Sequence, residues 1–212
     1  MTLYRYNIIE PPSSWTEEFK NPQYVSSRGA KNSIGAYFFY NKCETAVNVG
    51  KKAIQETGGN NKILFITSAQ LQHDANILDL SLPIETFEPE YMLDLLYDNG
   101  IDVLTDKFLH LNPSHKLSEI REDYFKIREA KQSEKQLPWN HDSRMNVNGF
   151  FMGNSSHLGQ CLTDFENGFM FKQLLEEKGY DGYVFVEEVN DPTVCIFDSS
   201  FLSRPTIQVI QL

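Results

Sequence analysis

Two adjacent carboxylates, Glu187 and Glu188, are the residues of this sequence that most clearly could do chemistry. They end the apolar run Gly182–Val186, and a second apolar run begins a few residues later, in "GYVFVEEVNDPTVCIFD". Side chains of a strand alternate between its two faces, so only one of the pair can face a given cleft. The alternation of side chains along this run does not settle which of the two faces it. A solvated strand end is the alternative interpretation.

Arg5 and the tyrosines near it form a second group of candidates. Arg5 interrupts the aromatic and apolar run "LYRYNII", and a buried arginine needs a partner. Tyr6 follows it, and Tyr37 and Tyr40 belong to the later run "IGAYFFY". A water-facing edge arginine and tyrosines that only fill the core are the alternatives.

Alternating strands and helices must position these residues. Runs rich in aromatic and β-branched residues predict strands. These strands cover 3–9, 34–40, 62–67 and 75–81, followed near the end by "GYVFVEE", "TVCIFD" and "TIQVIQL". Helical spacing and capping signals predict helices after Asn41, from Pro89 to a stop at Gly100, over 114–136, and from Thr163 to Gly179. We interpret 114–136 as a solvent-facing, lid-like helix and 137–160 as a long loop.

Composition restricts the class of protein. The 212 residues carry a formal net charge of −10 and are 41% hydrophobic, which indicates a globular chain and argues against sequence-independent binding of nucleic acid. The three cysteines are widely spaced, so we predict neither a zinc site nor a disulfide framework, and no metal. No signal peptide or apolar span is recognisable, so we expect no membrane association. Nucleotide-loop, zincin and nucleophile-elbow motifs are absent from the sequence.

Four segments, in this order, carry a resemblance to the ADP-ribosyltransferase-like superfamily: "LYRYN", "SSRGAKNSIGAYFFYNKCETAV", "ILFITSAQLQHDANILDLS" and "FKQLLEEKGYDGYVFVEEVNDPTVCIFDSSFL". The first half is most similar to the RES-domain toxins, which destroy NAD, and the last part to bacterial ADP-ribosyltransferases. The chain departs from the RES pattern at Lys31, Val49 and Glu187, where that pattern has arginine, glutamate and serine.

The resemblance implies an α+β fold in which split antiparallel β-sheets are flanked by helices. We expect one domain over 1–212, with a helical insertion at about 85–160. It also implies a set of site residues. Those implied for catalysis are Glu187, Glu188 and Tyr37, and those implied for binding NAD are Arg5, Tyr6, Ser26, Ser27, Arg28 and Tyr40. NAD would be a substrate, and no metal would take part.

The implied function is an NAD-dependent ADP-ribosyltransferase, which cleaves the nicotinamide–ribose bond and transfers ADP-ribose to a protein acceptor as a bacterial toxin or effector. A RES-like NAD glycohydrolase or phosphorylase is the first alternative. A binding module that kept the fold and lost catalysis is the second. An immunity or antitoxin protein is an implied partner. The expected location is the cytoplasm, or a target cell reached through a specialised secretion system.

Overall fold

The computed structural model of the chain describes residues 1–20, 34–56, 58, 62–81, 89–105, 117–135, 137–151, 165–186 and 191–212. The strands in these ranges are β1 Thr2–Asn7, β2 Tyr37–Tyr40, β3 Ile63–Gln70, β4 Ile77–Leu80, β5 Gly182–Val186, β6 Pro192–Ile196 and β7 Thr206–Gln211. The α-helices are α1 Cys43–Glu56, α2 Pro89–Asp98, α3 Leu117–Gln132, α4 Asp142–Phe151 and α5 Phe165–Glu177. Short 3-10 helices cover Glu17–Lys20 and Ser199–Phe201. The expected α+β class is confirmed.

The strands form a seven-stranded sheet in the order β4-β5-β6-β2-β1-β3-β7. Its weakest junction is the β1–β2 pair, which is in register only at Tyr4 and Tyr40. On either side the pairing is longer: β1 and β3 match at six positions, and β2 and β6 at four. The strands thus form one continuous sheet and not the expected split sheets, and its described backbone pairing is shortest where the group β4-β5-β6-β2 adjoins the group β1-β3-β7.

The pairing of β4 with β5 is parallel, which corrects the prediction of purely antiparallel sheets. Parallel neighbours need a long crossover connection, whereas antiparallel neighbours can be joined by a hairpin. Residues 81–181 separate these two strands and contain four of the helices, so the connection is long enough. The remaining pairs are antiparallel.

Three hydrophobic clusters hold helices onto the two faces of the sheet. The aromatic cluster lies on the face that carries Leu3 and comprises Leu3, Phe19, Tyr37, Phe39, Ala69, Val194, Ile196 and Leu202, with Trp15 packed against it. The α1 cluster lies on the opposite face and joins Ala46 and Ile54 of α1 to Leu64 and Ile66 of β3. The insertion cluster packs α2, α3, α4 and α5 against β4, β5 and β6.

The helices between β4 and β5, which we call the helical insertion, differ from the predictions in two places. Helix α3 buries Ile120, Tyr124 and Ile127, so one of its faces is core and the helix is not simply solvent-facing. Helix α4, Asp142–Phe151, lies within the segment 137–160 that we predicted to be a loop. Its helical signal is weak because Asn and Gly dilute the pattern, but Val147 is fully buried and Ser143 donates to Asp123 of α3 at 2.8 Å. Tertiary contacts thus select this helix.

Helices α2 and α5 end where the sequence predicts. Gly100 and Gly179 have φ of 72° and 79°, a left-handed conformation that glycine adopts without steric cost. In the part of the chain that the structure describes, no helix has the length and hydrophobicity needed to cross a membrane.

Candidate functional site

Arg5 lies at the centre of the sheet, on the face of the aromatic cluster. Alternation along β1 places it between Leu3 and Asn7, both buried, while Tyr4 and Tyr6 pack with the α1 cluster on the other face. Arg5 as a residue is partly accessible, but its Nη1 atom is buried, and no hydrogen-bond acceptor reaches that atom. A buried donor without an acceptor is costly, so this position needs an explanation.

Aromatic rings surround the guanidinium. The Cζ atom of Arg5 lies 5.6 Å from the centroid of the Phe19 ring, within reach of a cation–π contact. Trp15 fixes Phe19, since their ring centroids are 4.6 Å apart, and its indole nitrogen donates to the carbonyl of Ser203 at 2.7 Å. Trp15 also meets Tyr37 edge-on at 5.6 Å. These contacts hold the segment 15–20 against the face of the sheet that carries Arg5.

The electrostatics of Arg5 link it to three of the predicted tyrosines. Burial lowers the pKa of Arg5 from its ordinary value to about 10, and the phenol groups of Tyr6, Tyr40 and Tyr37 oppose this effect in part. Arg5 remains a cation at neutral pH, although its desolvation disfavours that charge. Of these three tyrosines, Tyr37 lies on the same face of the sheet as Arg5, whereas Tyr6 and Tyr40 pack on the opposite face with the α1 cluster.

Lys20 adds a second positive charge to this site. Its Nζ atom lies 5.1 Å from the centroid of the Tyr37 ring, and it pairs with the exposed Glu17 at 2.9 Å. Surface ion pairs of this kind contribute little to stability, so Lys20 can exchange Glu17 for another anion at small cost. The sequence did not identify Lys20, Trp15 or Phe19, because their place over the sheet depends on tertiary contacts.

Asn7 and Thr67 complete the polar part of this face. The Thr67 hydroxyl donates to Oδ1 of Asn7 at 3.1 Å, and both side chains are buried. Thr67 pairs with Arg5 across β1 and β3, which puts all three side chains side by side. Asn7 lies two positions after Arg5 on the same strand, and that spacing is the signal by which it could have been found.

Five predicted site residues lie outside the described residues: Ser26, Ser27, Arg28, Glu187 and Glu188. The strand that precedes the two glutamates ends at Val186, which pairs with Pro192. Strands β6 and β2 lie between β5 and β1. The structure describes Arg5, Tyr6, Tyr37 and Tyr40, and the role of the two glutamates stays a prediction.

A second polar group, in the helical insertion, is a structural network and not a site. Glu90 of α2 is buried, and its carboxylate binds Arg144 at 2.8 Å and Lys131 at 3.8 Å. Burial raises the pKa of Glu90, which Lys131 opposes. Asp94 binds Arg128 and Lys131 in the same network. These charges are matched within the fold, so they hold α2, α3 and α4 together.

Among the described residues, no group of three or more His, Cys, Asp or Glu side chains is placed to hold a metal ion. Buried Cys195 is no nucleophile, because burial raises the pKa of its thiol. The arrangement around Arg5 is suited to binding an anion that also carries a flat ring. Comparison of the chain with protein-family models, with curated proteins and with solved structures finds no match, so any function assigned to it rests on its own residues.

Proposed function

We propose that this chain is an NAD-dependent ADP-ribosyltransferase of the toxin or effector type, with a protein as its acceptor. The observation that carries the proposal is the buried Nη1 atom of Arg5, which lacks an acceptor, on the face of the sheet that also carries Tyr37. These are the positions that the resemblance to the superfamily assigns to NAD.

A pyrophosphate would complement the positive charge and the hydrogen-bond donors of Arg5. The guanidinium group is a planar fork of donors that binds phosphate oxygens in pairs, and a phosphate would restore the contacts that burial removes from Arg5. Lys20 supplies a further cation beside Tyr37. The ring of Tyr37, on the same face of the sheet as Arg5, offers a flat surface for nicotinamide, which a simple inorganic anion would not use.

The weak junction between β1 and β2 also supports the proposal. The superfamily binds NAD between two small sheets, and here the two strand groups meet only at Tyr4 and Tyr40. Arg5 follows Tyr4, and Tyr37 and Tyr40 mark the two ends of β2. The candidate residues thus border the place where the sheet divides.

The chemistry would need a carboxylate. Breaking the bond between ribose C1′ and the nicotinamide nitrogen develops positive charge on the sugar, as in glycoside hydrolysis. Nicotinamide leaves with the bonding electron pair, a nucleophilic atom of the acceptor bonds to C1′, and the acceptor loses a proton. In this proposal Glu187 or Glu188 accepts a hydrogen bond from the ribose 2′-hydroxyl and faces the developing charge. Loss of such a contact typically lowers the rate about 10²–10³-fold.

Incubation of the chain with NAD labelled in the adenosine part, together with a cell lysate, tests the proposal. Label on a protein band supports a transferase, while release of free ADP-ribose without a labelled band supports the NAD-degrading alternative. Absence of any turnover, with NAD still bound, supports the binding module. Absence of both turnover and binding refutes the proposal.

Separate Glu187→Gln and Glu188→Gln variants then test the chemistry. We expect one of them to lose about 10²–10³-fold in turnover while it still binds NAD. Glu177→Gln is the matched control, because Glu177 is an exposed carboxylate at the end of α5. Full activity in both glutamine variants would remove these two residues from the mechanism.

A further inference from the structure

A group of buried oxygen atoms without hydrogen-bond donors lies at one end of β2 and β6, away from Arg5. Both carboxylate oxygens of Asp191 are buried, as are Oγ1 of Thr193 and Oδ1 of Asn41. Asp191 is 4% exposed and Thr193 2% exposed. No donor among the described residues reaches any of these atoms, and a buried carboxylate in that state is rare in proteins.

The strand register brings these residues together. Thr193 pairs with Tyr40 of β2 on one side and with Phe185 of β5 on the other. Asn41 follows Tyr40 directly, and Asp191 is two positions before Thr193, just ahead of β6. The oxygens therefore belong to neighbouring ends of two paired strands, within a few residues of one another.

This group lies where two hydrophobic clusters adjoin. Thr193 shares its sheet face with Cys195, which belongs to the insertion cluster, while Tyr40 packs with the α1 cluster. Arg5 is on the opposite face with the aromatic cluster. Among the described residues no cation is paired with Asp191, and Thr193 and Arg5 lie on opposite faces of the sheet, so the two sites are separate.

We propose that Asp191, Thr193 and Asn41 form a binding site for a hard divalent cation, with Ca²⁺ as the preferred ion. The site offers two carboxylate oxygens, an amide oxygen and a hydroxyl oxygen, the ligand types that hard cations take. A cation also neutralises the buried carboxylate, which a neutral ligand such as a hydroxyl group does not. Ca²⁺ accepts neutral oxygens and irregular geometry more readily than Mg²⁺ does.

This proposal runs against the prediction from the sequence that the protein binds no metal. That expectation rested on the spacing of Cys and His, which are ligands for zinc and other softer metals. With a single carboxylate the affinity for Ca²⁺ is expected to be low, about 10⁻⁴–10⁻³ M, as in weak extracellular sites. The inference does not depend on NAD or on the proposed transferase.

Thermal unfolding in EDTA and in about 10 mM CaCl₂, at matched ionic strength, tests the proposal on the full chain. At this concentration the expected rise in Tm of the native chain is about 3–6 °C. Asp191→Asn should lose the rise with Ca²⁺, because it removes the carboxylate of the site. Thr193→Val, which keeps the side-chain shape, should reduce the rise.

Asp74→Asn is the matched control, because Asp74 is exposed, and it should keep the full response. Equilibrium dialysis with ⁴⁵Ca²⁺ gives a second readout, with one site expected per native chain and none per Asp191→Asn chain. Equal responses to Ca²⁺ in the native chain and Asp191→Asn would overturn the proposal. So would the absence of saturable binding to the native chain, which would leave buried water as the partner of these oxygens.

Discussion

Replacement of Arg5 by methionine tests whether this residue is kept for a ligand or for the fold. The lowering of its pKa to about 10 corresponds to a cost of about 3 kcal/mol for holding the charge in the folded state. The contact with Phe19 returns about 0.5–1 kcal/mol of this. Methionine keeps the apolar stem of the side chain without the charge. We therefore expect Arg5→Met to stabilise the ligand-free protein by about 2 kcal/mol, or about 4–8 °C in Tm.

The pH dependence follows from the sign of the change in pKa. Arg5 binds its proton less tightly in the folded state than in the unfolded state. The free-energy cost of burying the charged guanidinium is therefore fully present at neutral pH. It declines as the pH rises through about 10 towards 12.5. The difference in unfolding free energy between the native chain and Arg5→Met should therefore be constant below about pH 9 and shrink above it. Urea unfolding at several pH values measures this difference.

Ligands provide the second half of this test. NAD, ADP-ribose and pyrophosphate should raise the Tm of the native chain and leave that of Arg5→Met unchanged. Arg204→Met is the control, because Arg204 is exposed, and its stability should stay within about 0.5 kcal/mol of the native value. Destabilisation of Arg5→Met by more than about 1 kcal/mol would refute the reasoning, since it would mean that the fold itself depends on this guanidinium.

Two further predictions concern the scaffold. Arg144→Met should destabilise the protein by about 3–5 kcal/mol in urea unfolding, because it leaves the Glu90 carboxylate buried without its closest cation. That loss should be smaller at acid pH, where protonation of Glu90 removes the charge, and a loss independent of pH would contradict it. Gly182→Ala should cost about 1–3 kcal/mol, since the new methyl group would meet the backbone carbonyl of Cys195. Gly149→Ala, with open space around the added carbon, should be neutral or stabilising, and equal effects at the two glycines would contradict this explanation.

The fold was predictable where local signals determine it. Gly100 and Gly179 end helices because their positive φ angles suit glycine, which is visible in one sequence. Helix α4 was missed because its stability comes from Val147 and from the bond between Ser143 and Asp123, which is a contact between distant residues. The parallel pairing of β4 and β5 was missed for the same reason, as it depends on a connection of about 100 residues.

The candidate site shows the same division. Arg5 stood out in the sequence as a charge on an apolar strand, and of the two tyrosines of β2 the structure places Tyr37 on the same face of the sheet and Tyr40 on the other. Phe19 could not be identified, because its position over Arg5 depends on the docking of Trp15 and on the carbonyl of Ser203. Asp191 and Thr193 could not be identified from the sequence either. They differ from ordinary residues at a strand end only because their side-chain oxygens are buried without hydrogen-bond donors.

The meeting of β1 and β2 at a single residue pair has a mechanical consequence. Rotation of one strand group against the other disrupts fewer interstrand hydrogen bonds along this line than along the β1–β3 or β2–β6 junctions. The sheet should therefore open most easily between β1 and β2. Amide hydrogens at this boundary should exchange with solvent sooner than those of β3. A molecule that bridges Arg5 and Tyr37 would act as a clamp across it and slow that exchange.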